Sequence, residues 1–152
     1  MGDTIATNKK AYRDYFFSET CECGIVLTGG EVKSIRLGNV NFKDSFARID
    51  KDEVKLYSLH IDPYKQASYL NDEPDRTRKL LLHKKEIKKL VGKMAQQGCL
   101  LIPTKMYFNN RGYVKVELGL GKGKKLYDKR ETIKKRDIDR DISRAVRNKR
   151  RR

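Results

Sequence analysis

The distribution of apolar residues along the chain sets the first limit on its fold. Apolar residues recur often enough to supply a core up to about residue 120, whereas residues 121–152 read GKGKKLYDKRETIKKRDIDRDISRAVRNKRRR. This last segment holds 15 Lys and Arg against 5 Asp and Glu, a net charge of +10. It cannot by itself bury enough apolar surface to offset the entropy lost on ordering. The sequence therefore predicts a folded body over residues 1–120 and a basic tail over residues 121–152 that is disordered when free.

The tail nevertheless carries a helical pattern. Ile138, Ile142, Ala145 and Val146 recur at i, i+4, i+7 and i+8, which places them on one stripe of a helix. We expect this helix to form when a partner neutralises the positive charge and covers the stripe.

Within the body, short runs rich in aromatic and β-branched residues predict strands. The predicted strands cover residues 12–17, 22–27, 45–50, 53–61, 99–108 and 113–120. A helix is predicted over residues 28–38, because Thr28 and Glu31 have the spacing of a capping box and Gly38 suits the exit. A second helix is predicted before Gly98, where Ile87, Leu90, Val91 and Met94 recur with helical spacing.

These elements predict a mainly β body with two to three helices, followed by the basic tail. Several short antiparallel strands in little more than 100 residues fit a small closed barrel, and the oligonucleotide-binding barrel, or OB-fold, is a frequent version among nucleic-acid-binding proteins. A split sheet with helices on one side is the alternative that the pattern leaves open.

The charge of the whole chain points to the kind of partner. The formal net charge is +16 and the pI is near 9.8, so the chain attracts polyanions, with nucleic acid as the first interpretation and an acidic protein or an anionic membrane surface as alternatives. No run approaches the ~20 apolar residues that span a membrane. Three cysteines are too few for a disulfide framework, so we expect thiols and a cytoplasmic protein.

No pattern in the sequence predicts a metal site, a cofactor or catalysis. Cys21-x-Cys23 lacks a second ligand pair for zinc, and His60 with Asp62 is too small a set for a metal-dependent nuclease. GLGKGKK (119–125) lacks the spacing of a nucleotide-binding P-loop. A binding protein is therefore expected, while a ribosomal structural component and a nuclease stay open as alternatives.

Five longer segments are more specific than any of these patterns. They are NKKAYRDYF (8–16), GIVLTGGEVKSIRLGNVNFKDSFA (24–47), LHIDPY (59–64), RKLLLHKKEIKKL (78–90) and KVELGLGKGKKLYDKRETIKKRD (115–137). In register and over nearly the whole chain, they resemble the SmpB (small protein B) family, whose members bind tmRNA, also called SsrA RNA.

The resemblance implies a function and a set of partners. An OB barrel without enzymatic activity would bind the tRNA-like domain of tmRNA and deliver it to stalled ribosomes for trans-translation, the rescue process that tags the unfinished peptide. The tail would become helical at the small-subunit decoding centre and in the mRNA channel. Alanyl-tRNA synthetase and elongation factor Tu would be met through tmRNA, and the protein would be a monomer without a membrane partner.

The resemblance also implies site residues. Glu31 and Lys33 match positions that contact tmRNA in the family, and Glu31 would in addition cap its helix. The expected tmRNA surface extends to Asn8, Lys10, Arg36, His60, Tyr64, Lys122, Lys124 and Lys125. In the tail, Tyr127 would stack on a base of the decoding centre, as a lone aromatic among basic residues also suggests. The expected contacts with ribosomal RNA phosphates are Lys129, Arg130, Lys134, Lys135 and Arg136.

Overall fold

The computed structural model of the chain describes residues 2–67 and 73–150, and for residues 126–128 it describes the backbone alone. The strands in these ranges are β1 (Thr4–Thr7), β2 (Tyr15–Ile25), β3 (Val40–Asn41), β4 (Phe46–Asp50), β5 (Glu53–Tyr57), β6 (His60–Ile61), β7 (Arg78–Leu81), β8 (Leu100–Phe108) and β9 (Val114–Gly123). The helices are α1 (Lys9–Asp14), α2 (Gly29–Arg36), α3 (Lys84–Gln97) and α4 (Leu126–Arg150), with a short 3-10 turn at Lys65–Ala67.

Seven strands form one antiparallel sheet in the order β1-β8-β4-β5-β7-β2-β9. Because β9 also pairs with β8, the pairings lead from β8 through β4, β5, β7, β2 and β9 back to β8. The link from β4 to β8 consists of one residue pair, Ala47 with Leu101, so the ring of pairings is not a closed barrel and the predicted OB barrel is not confirmed. β3 and β6 form a separate two-stranded sheet. The prediction of a mainly β, antiparallel body is confirmed.

The core is formed by alternate side chains of the large sheet together with one face each of α2 and α3. Leu56, Val116 and Leu118 are fully buried, as is Ile35 of α2. Burying a side chain of this size contributes about 1.5–3 kcal/mol, so this apolar cluster holds the helices against the sheet.

Both helices predicted for the body are present, with the predicted cap at the start of α2 and the predicted stop after α3. The Thr28 hydroxyl accepts from the Glu31 backbone N–H and the Glu31 carboxylate accepts from the Thr28 N–H, which completes the capping box of α2. α3 ends at Gly98, whose φ of +61° lies in the left-handed region that glycine adopts without strain.

The strand predicted over residues 53–61 is too long. Lys51 and Asp52 have φ values of 45° and 64°, as a tight hairpin turn between β4 and β5 requires. β5 then ends at Tyr57, because Ser58 at φ 59° turns the chain away from the sheet. The next residues pair with β3 as β6, so Ile61 belongs to the small sheet instead.

The strand predicted over residues 12–17 is wrong in its first half, and the next predicted strand is part of the same element. Tyr12 lies in α1, which begins where the Asn8 Oδ1 accepts from the Ala11 N–H at 3.1 Å. The Asn8 Nδ2 donates to the Pro103 carbonyl at 2.9 Å and so fixes this turn to β8. The β propensity of the aromatic residues is overridden by this cap, and β2 then runs unbroken from Tyr15.

β9 extends to Gly123, three residues beyond the boundary expected at residue 120, and α4 follows almost at once. The predicted stripe lies in α4, where Ile138 and Ile142 are more than half exposed. Disorder of the free tail stays a prediction. Among the helices in the described ranges, none combines the length and apolar character needed to cross a membrane.

Candidate nucleic-acid interface

A first surface is built around α2, and we call Lys33, Arg36, His60, Asp62 and Tyr64 the α2 patch. Ser34 of α2 donates through its hydroxyl to the Asp62 carbonyl at 2.5 Å, and this bond joins the helix to the segment that follows β6. The ammonium of Lys33 lies 5.5 Å from the centre of the Tyr64 ring. The fold therefore brings together four predicted site residues, two from α2 and two from residues 60–64.

The α2 patch borders a polar cleft of about 370 Å³. Its lining consists of Gly38, Asn39, Val40, Asn41, His60 and Asp62. Amide, carboxylate and imidazole groups in one cleft can form hydrogen bonds with base edges and ribose hydroxyls, while a nearby Tyr and Lys offer a stacking surface and a phosphate contact. The cleft thus has the mixed chemistry that recognition of unpaired RNA needs.

His60 is held between two carboxylates. Its Nδ1 lies 2.8 Å from Asp75 Oδ1, and its Nε2 lies 2.8 Å from Asp62 Oδ1. An imidazole can donate from both nitrogens only when it is protonated. The bonds to Asp75 and then Asp62 accordingly raise the pKa of His60 above its ordinary value of 6.5.

Glu31, predicted both to cap α2 and to contact RNA, is 7 % exposed. Its Oε1 accepts from Arg76 Nε at 2.8 Å and Arg78 Nε at 2.9 Å, and its Oε2 accepts from Arg76 Nη2 at 2.6 Å. Burial acts to raise the pKa of Glu31, but the bonds from Arg76 and Arg78 outweigh it and hold the pKa below its usual value. The capping role is confirmed, and a contact with RNA stays a prediction.

Arg78 extends this ionic cluster into the protein. Its side chain is fully buried, and its Nη1 donates to the carbonyls of Leu59 at 2.6 Å and Arg76 at 3.1 Å. Its Nη2 donates to the Pro74 carbonyl at 2.9 Å. Such complete pairing is what a buried guanidinium requires. The cluster joins three separate segments of the chain beneath the α2 patch.

A second group of predicted residues lies where the body meets the tail. Lys10 of α1 pairs with Asp44 at 3.0 Å, and both side chains are mostly exposed. Lys122 and Lys125, near the end of β9, are exposed as well. Asn8 is 8 % exposed and acts as the cap of α1. The three lysines can be reached by RNA phosphates, whereas Asn8 is buried and caps the N-terminus of α1.

Lys124 joins α1 to α4. Its ammonium donates to the Tyr12 carbonyl at 3.2 Å and to the Thr132 hydroxyl at 3.0 Å, and it lies 4.6 Å from the centre of the Phe16 ring. Through these contacts the Lys124 ammonium holds the first turns of α4 beside α1. The structure therefore assigns this lysine a bridging position, and its predicted contact with RNA stays a prediction.

The predicted tail residues all lie on α4. Lys129 is 3.9 Å from Asp14 at the end of α1, and Arg136 donates to the Lys9 carbonyl at 3.5 Å. Arg130, Lys134 and Lys135 are exposed. The side chain of Tyr127 lies outside the described residues. Beyond Arg136, the helix carries its basic residues and its apolar stripe away from these contacts with α1.

The outer face of the large sheet carries a patch that the sequence analysis missed. Tyr107 on β8 lies opposite Lys115 on β9. Lys115 lies opposite Gly24 on β2, and Gly24 lies opposite Leu81 on β7, so the four residues form one row across the sheet. Leu81 is 52 % exposed, and the Tyr107 hydroxyl donates to the carboxylate of Glu22. Aromatic, basic and apolar side chains in one row suit unstacked RNA bases. Only the register of four separate strands creates this row, so no local pattern could have predicted it.

Cys21 and Cys23, the pair considered for zinc, both lie on β2. Burial raises the pKa of Cys23 well above that of a free thiol, and its thiol donates to the Val116 carbonyl at 3.2 Å. Cys21 is half-buried on the same strand. Within residues 2–67 and 73–150, no group of three or more His, Cys, Asp or Glu side chains has an arrangement that could hold a metal ion.

Comparison with known proteins gives a consistent result over most of the chain. The model of a family described as SmpB protein matches residues 5–148. An SsrA-binding protein of Geobacillus sp. (strain WCH70) is 58 % identical over 146 residues, which cover 96 % of this chain and 94 % of that protein. An SsrA-binding protein of Carboxydothermus hydrogenoformans is 56 % identical over 147 residues, covering 97 % of this chain and 98 % of that protein.

The fold is also similar to a solved structure. A chain from the structure described as "tmRNA-SmpB: a journey to the center of the bacterial ribosome" superposes with a TM-score of 0.69 at 50 % sequence identity. The match covers 84 % of this chain and 93 % of the other. Sequence and fold therefore point to the same group of proteins.

Proposed function

Because the chain belongs to the SmpB family, we propose that it binds the tRNA-like domain of tmRNA and delivers it to stalled ribosomes for trans-translation. The single observation that carries this function is the 58 % identity to an SsrA-binding protein over 96 % of the chain. The similar solved structure, at 50 % identity, is of SmpB with tmRNA and the ribosome. In this function the protein acts by binding RNA rather than as an enzyme.

The body supplies the surface for tmRNA. Its most suitable part is the α2 patch, where Lys33 and Arg36 offer positive charge, Tyr64 offers an aromatic face, and the cleft beside His60 offers hydrogen-bonding groups. Exposed lysines at positions 10, 122 and 125 extend the positive surface towards the tail. Phosphate contacts of this kind give affinity, while shape and unpaired bases give specificity.

The tail supplies the contact with the ribosome. α4 carries basic side chains around most of its surface, and its contacts with α1 involve residues up to Arg136. An exposed basic helix can enter a channel lined by RNA phosphates, such as the decoding centre and the mRNA channel of the small subunit. Lys129, Arg130, Lys134, Lys135 and Arg136 contact ribosomal RNA in this arrangement, and Tyr127 stacks on one of its bases.

The protein acts as a cytoplasmic monomer and meets alanyl-tRNA synthetase and elongation factor Tu through tmRNA.

Removing α4 tests whether the body binds tmRNA and the tail contacts the ribosome. A chain that ends at Lys125 keeps β9 complete, because this strand ends at Gly123. We expect it to bind the tRNA-like domain of tmRNA within about threefold of the full chain, since most phosphate contacts remain, and to lose peptide tagging on stalled ribosomes.

A chain that ends at Arg150 is the matched control, because it keeps α4 and should tag normally. The measurements are RNA affinity and tagging in a reconstituted translation system. Normal tagging by the chain that ends at Lys125 would contradict the proposal.

A further inference from the structure

The ionic cluster of Glu31, Arg76 and Arg78 is more deeply buried than any other ion pair in the described part of the chain. Glu31 is 7 % exposed, Arg78 is fully buried and the side chain of Arg76 is 26 % exposed. Buried ion pairs are costly to desolvate and are frequently no better for stability than apolar residues of equal size. Such a cluster is better suited to selecting one arrangement of the chain than to adding stability.

The hydrogen bonds of the cluster end on the segments that form the α2 patch. Glu31 accepts from the Thr28 N–H at the start of the helix that carries Lys33 and Arg36. Arg78 donates to the carbonyl of Leu59, the residue before His60.

The cluster also holds the segment that supports His60 from the other side. Arg78 donates to the carbonyls of Pro74 and Arg76, which flank Asp75 on both sides. Asp75 in turn accepts from the His60 ring. Each segment that carries a recognition group of the patch is therefore tied to the same carboxylate, directly or through one arginine.

The Glu31 carboxylate has no acceptor position left for RNA. A carboxylate offers about four lone-pair directions, and those of Glu31 are used by Arg76 Nε, Arg78 Nε, Arg76 Nη2 and the Thr28 N–H. An RNA donor would have to displace an arginine from a site that is almost closed to solvent.

We propose that Glu31, Arg76 and Arg78 are positioning residues of the tmRNA interface, which fix α2, residues 59–62 and residues 73–76 in the one arrangement that binds RNA. Glu31 acts through the two arginines and does not touch RNA. This inference rests on the proposed function, because the RNA in question is the tRNA-like domain of tmRNA.

The first test is Glu31→Gln, which keeps the shape of the side chain and removes its charge. The matched control is Glu53→Gln, because Glu53 pairs with Lys79 at 2.8 Å on an exposed part of the sheet. We expect Glu31→Gln to lower the affinity for the tRNA-like domain by about tenfold, as weakening a buried charge-assisted bond does. Glu53→Gln should stay within about twofold of the wild type, as is usual for exposed pairs.

Backbone amide spectra of the RNA-free proteins separate positioning from direct contact. In Glu31→Gln the amide signals of Lys33, His60 and Asp75 should move before RNA is added, while those of Lys105 and Lys115 on the sheet stay in place. A loss of affinity without these movements would mean that Glu31 touches RNA and would overturn the inference.

A second variant covers the case in which Glu31→Gln does not fold. Arg76→Gln changes the most exposed member of the cluster, and it should reproduce the affinity loss and the same amide movements. Combined with Glu31→Gln where that variant folds, it should add little, because both changes break one network. Independent, additive losses would overturn the inference.

The affinities of the wild-type protein for the tRNA-like domain and for an ordinary tRNA separate the proposed function from the positioning role. If the wild type shows no preference between the two RNAs, the proposed function fails. If the wild type shows the preference and Glu31→Gln and Arg76→Gln both retain its full affinity, only the positioning role fails.

Discussion

At the residue scale, His60 shows how neighbouring charges set the state of one side chain. Two carboxylates accept from its two ring nitrogens, and the imidazole side chain is 40 % exposed. The hydrogen bonds to Asp75 and, to a smaller extent, Asp62 favour the protonated imidazole and so raise the pKa of His60. Protonation thus adds a positive charge to the α2 patch. It also lets His60 donate to Asp75 and Asp62 at the same time.

The raised pKa predicts the direction of a pH effect. Stabilisation by protonated His60 is fully present below the unfolded value of about 6.5 and is lost as the pH rises through the higher folded pKa. An NMR titration of the His60 ring should therefore give a midpoint above 6.5, and Asp75→Asn should shift that midpoint downwards. A wild-type midpoint at or below 6.5 would contradict the ion pairs described for His60.

Residue-scale features were predictable where their partners are close in sequence. The capping box of Thr28 and Glu31 spans three residues and was predicted, and so was the exit of α3 at Gly98. The arginines that complete the environment of Glu31 lie 45 and 47 residues away. No periodic pattern relates such positions, and a buried arginine within a strand runs against the usual alternation, so the cluster was missed.

At the scale of elements, β9 fits against β2 because it carries glycine where a side chain of β2 needs space. A Cβ atom on Gly119 would lie 2.4 Å from Cδ1 of Phe17, well inside contact distance. At Gly123, near the end of the same strand, a Cβ atom would meet nothing within 4 Å. The two glycines therefore have different roles in one strand.

This difference predicts opposite outcomes for two identical substitutions. Gly119→Ala should lower the free energy of unfolding by about 1–3 kcal/mol, because Phe17 or the backbone must move. Gly123→Ala should change it by less than about 0.5 kcal/mol. Urea unfolding of both variants is the measurement, and equal stability of the two would contradict the described packing of β2 on β9.

Long elements with marked ends were predictable and short ones were not. α3 and the β8–β9 hairpin follow from periodicity and turn residues. The second half of α1 falls in a predicted strand, because Tyr12 and the aromatic residues after it favour β structure. β7 is not predicted by the sequence, because Arg78 occupies a buried position in it. Strands of two residues, such as β3 and β6, exist only through their tertiary pairing.

At the scale of the whole molecule, the positive charge is divided between body and tail. Of the net charge of +16, the last 32 residues carry +10. Charge of this kind attracts any RNA, and the affinity it gives falls steeply with salt. Recognition of one RNA must therefore come from the shape and chemistry of the body, in particular the α2 patch and the cluster that holds it.

A salt titration of the full chain with the tRNA-like domain of tmRNA and with an ordinary tRNA tests this account most directly. We predict that affinity for both RNAs falls with salt, but that a preference of about 100-fold or more for the tmRNA domain persists above ~0.2 M salt. Equal affinities that fall together along the whole titration would contradict it and leave a basic protein that binds RNA by charge alone.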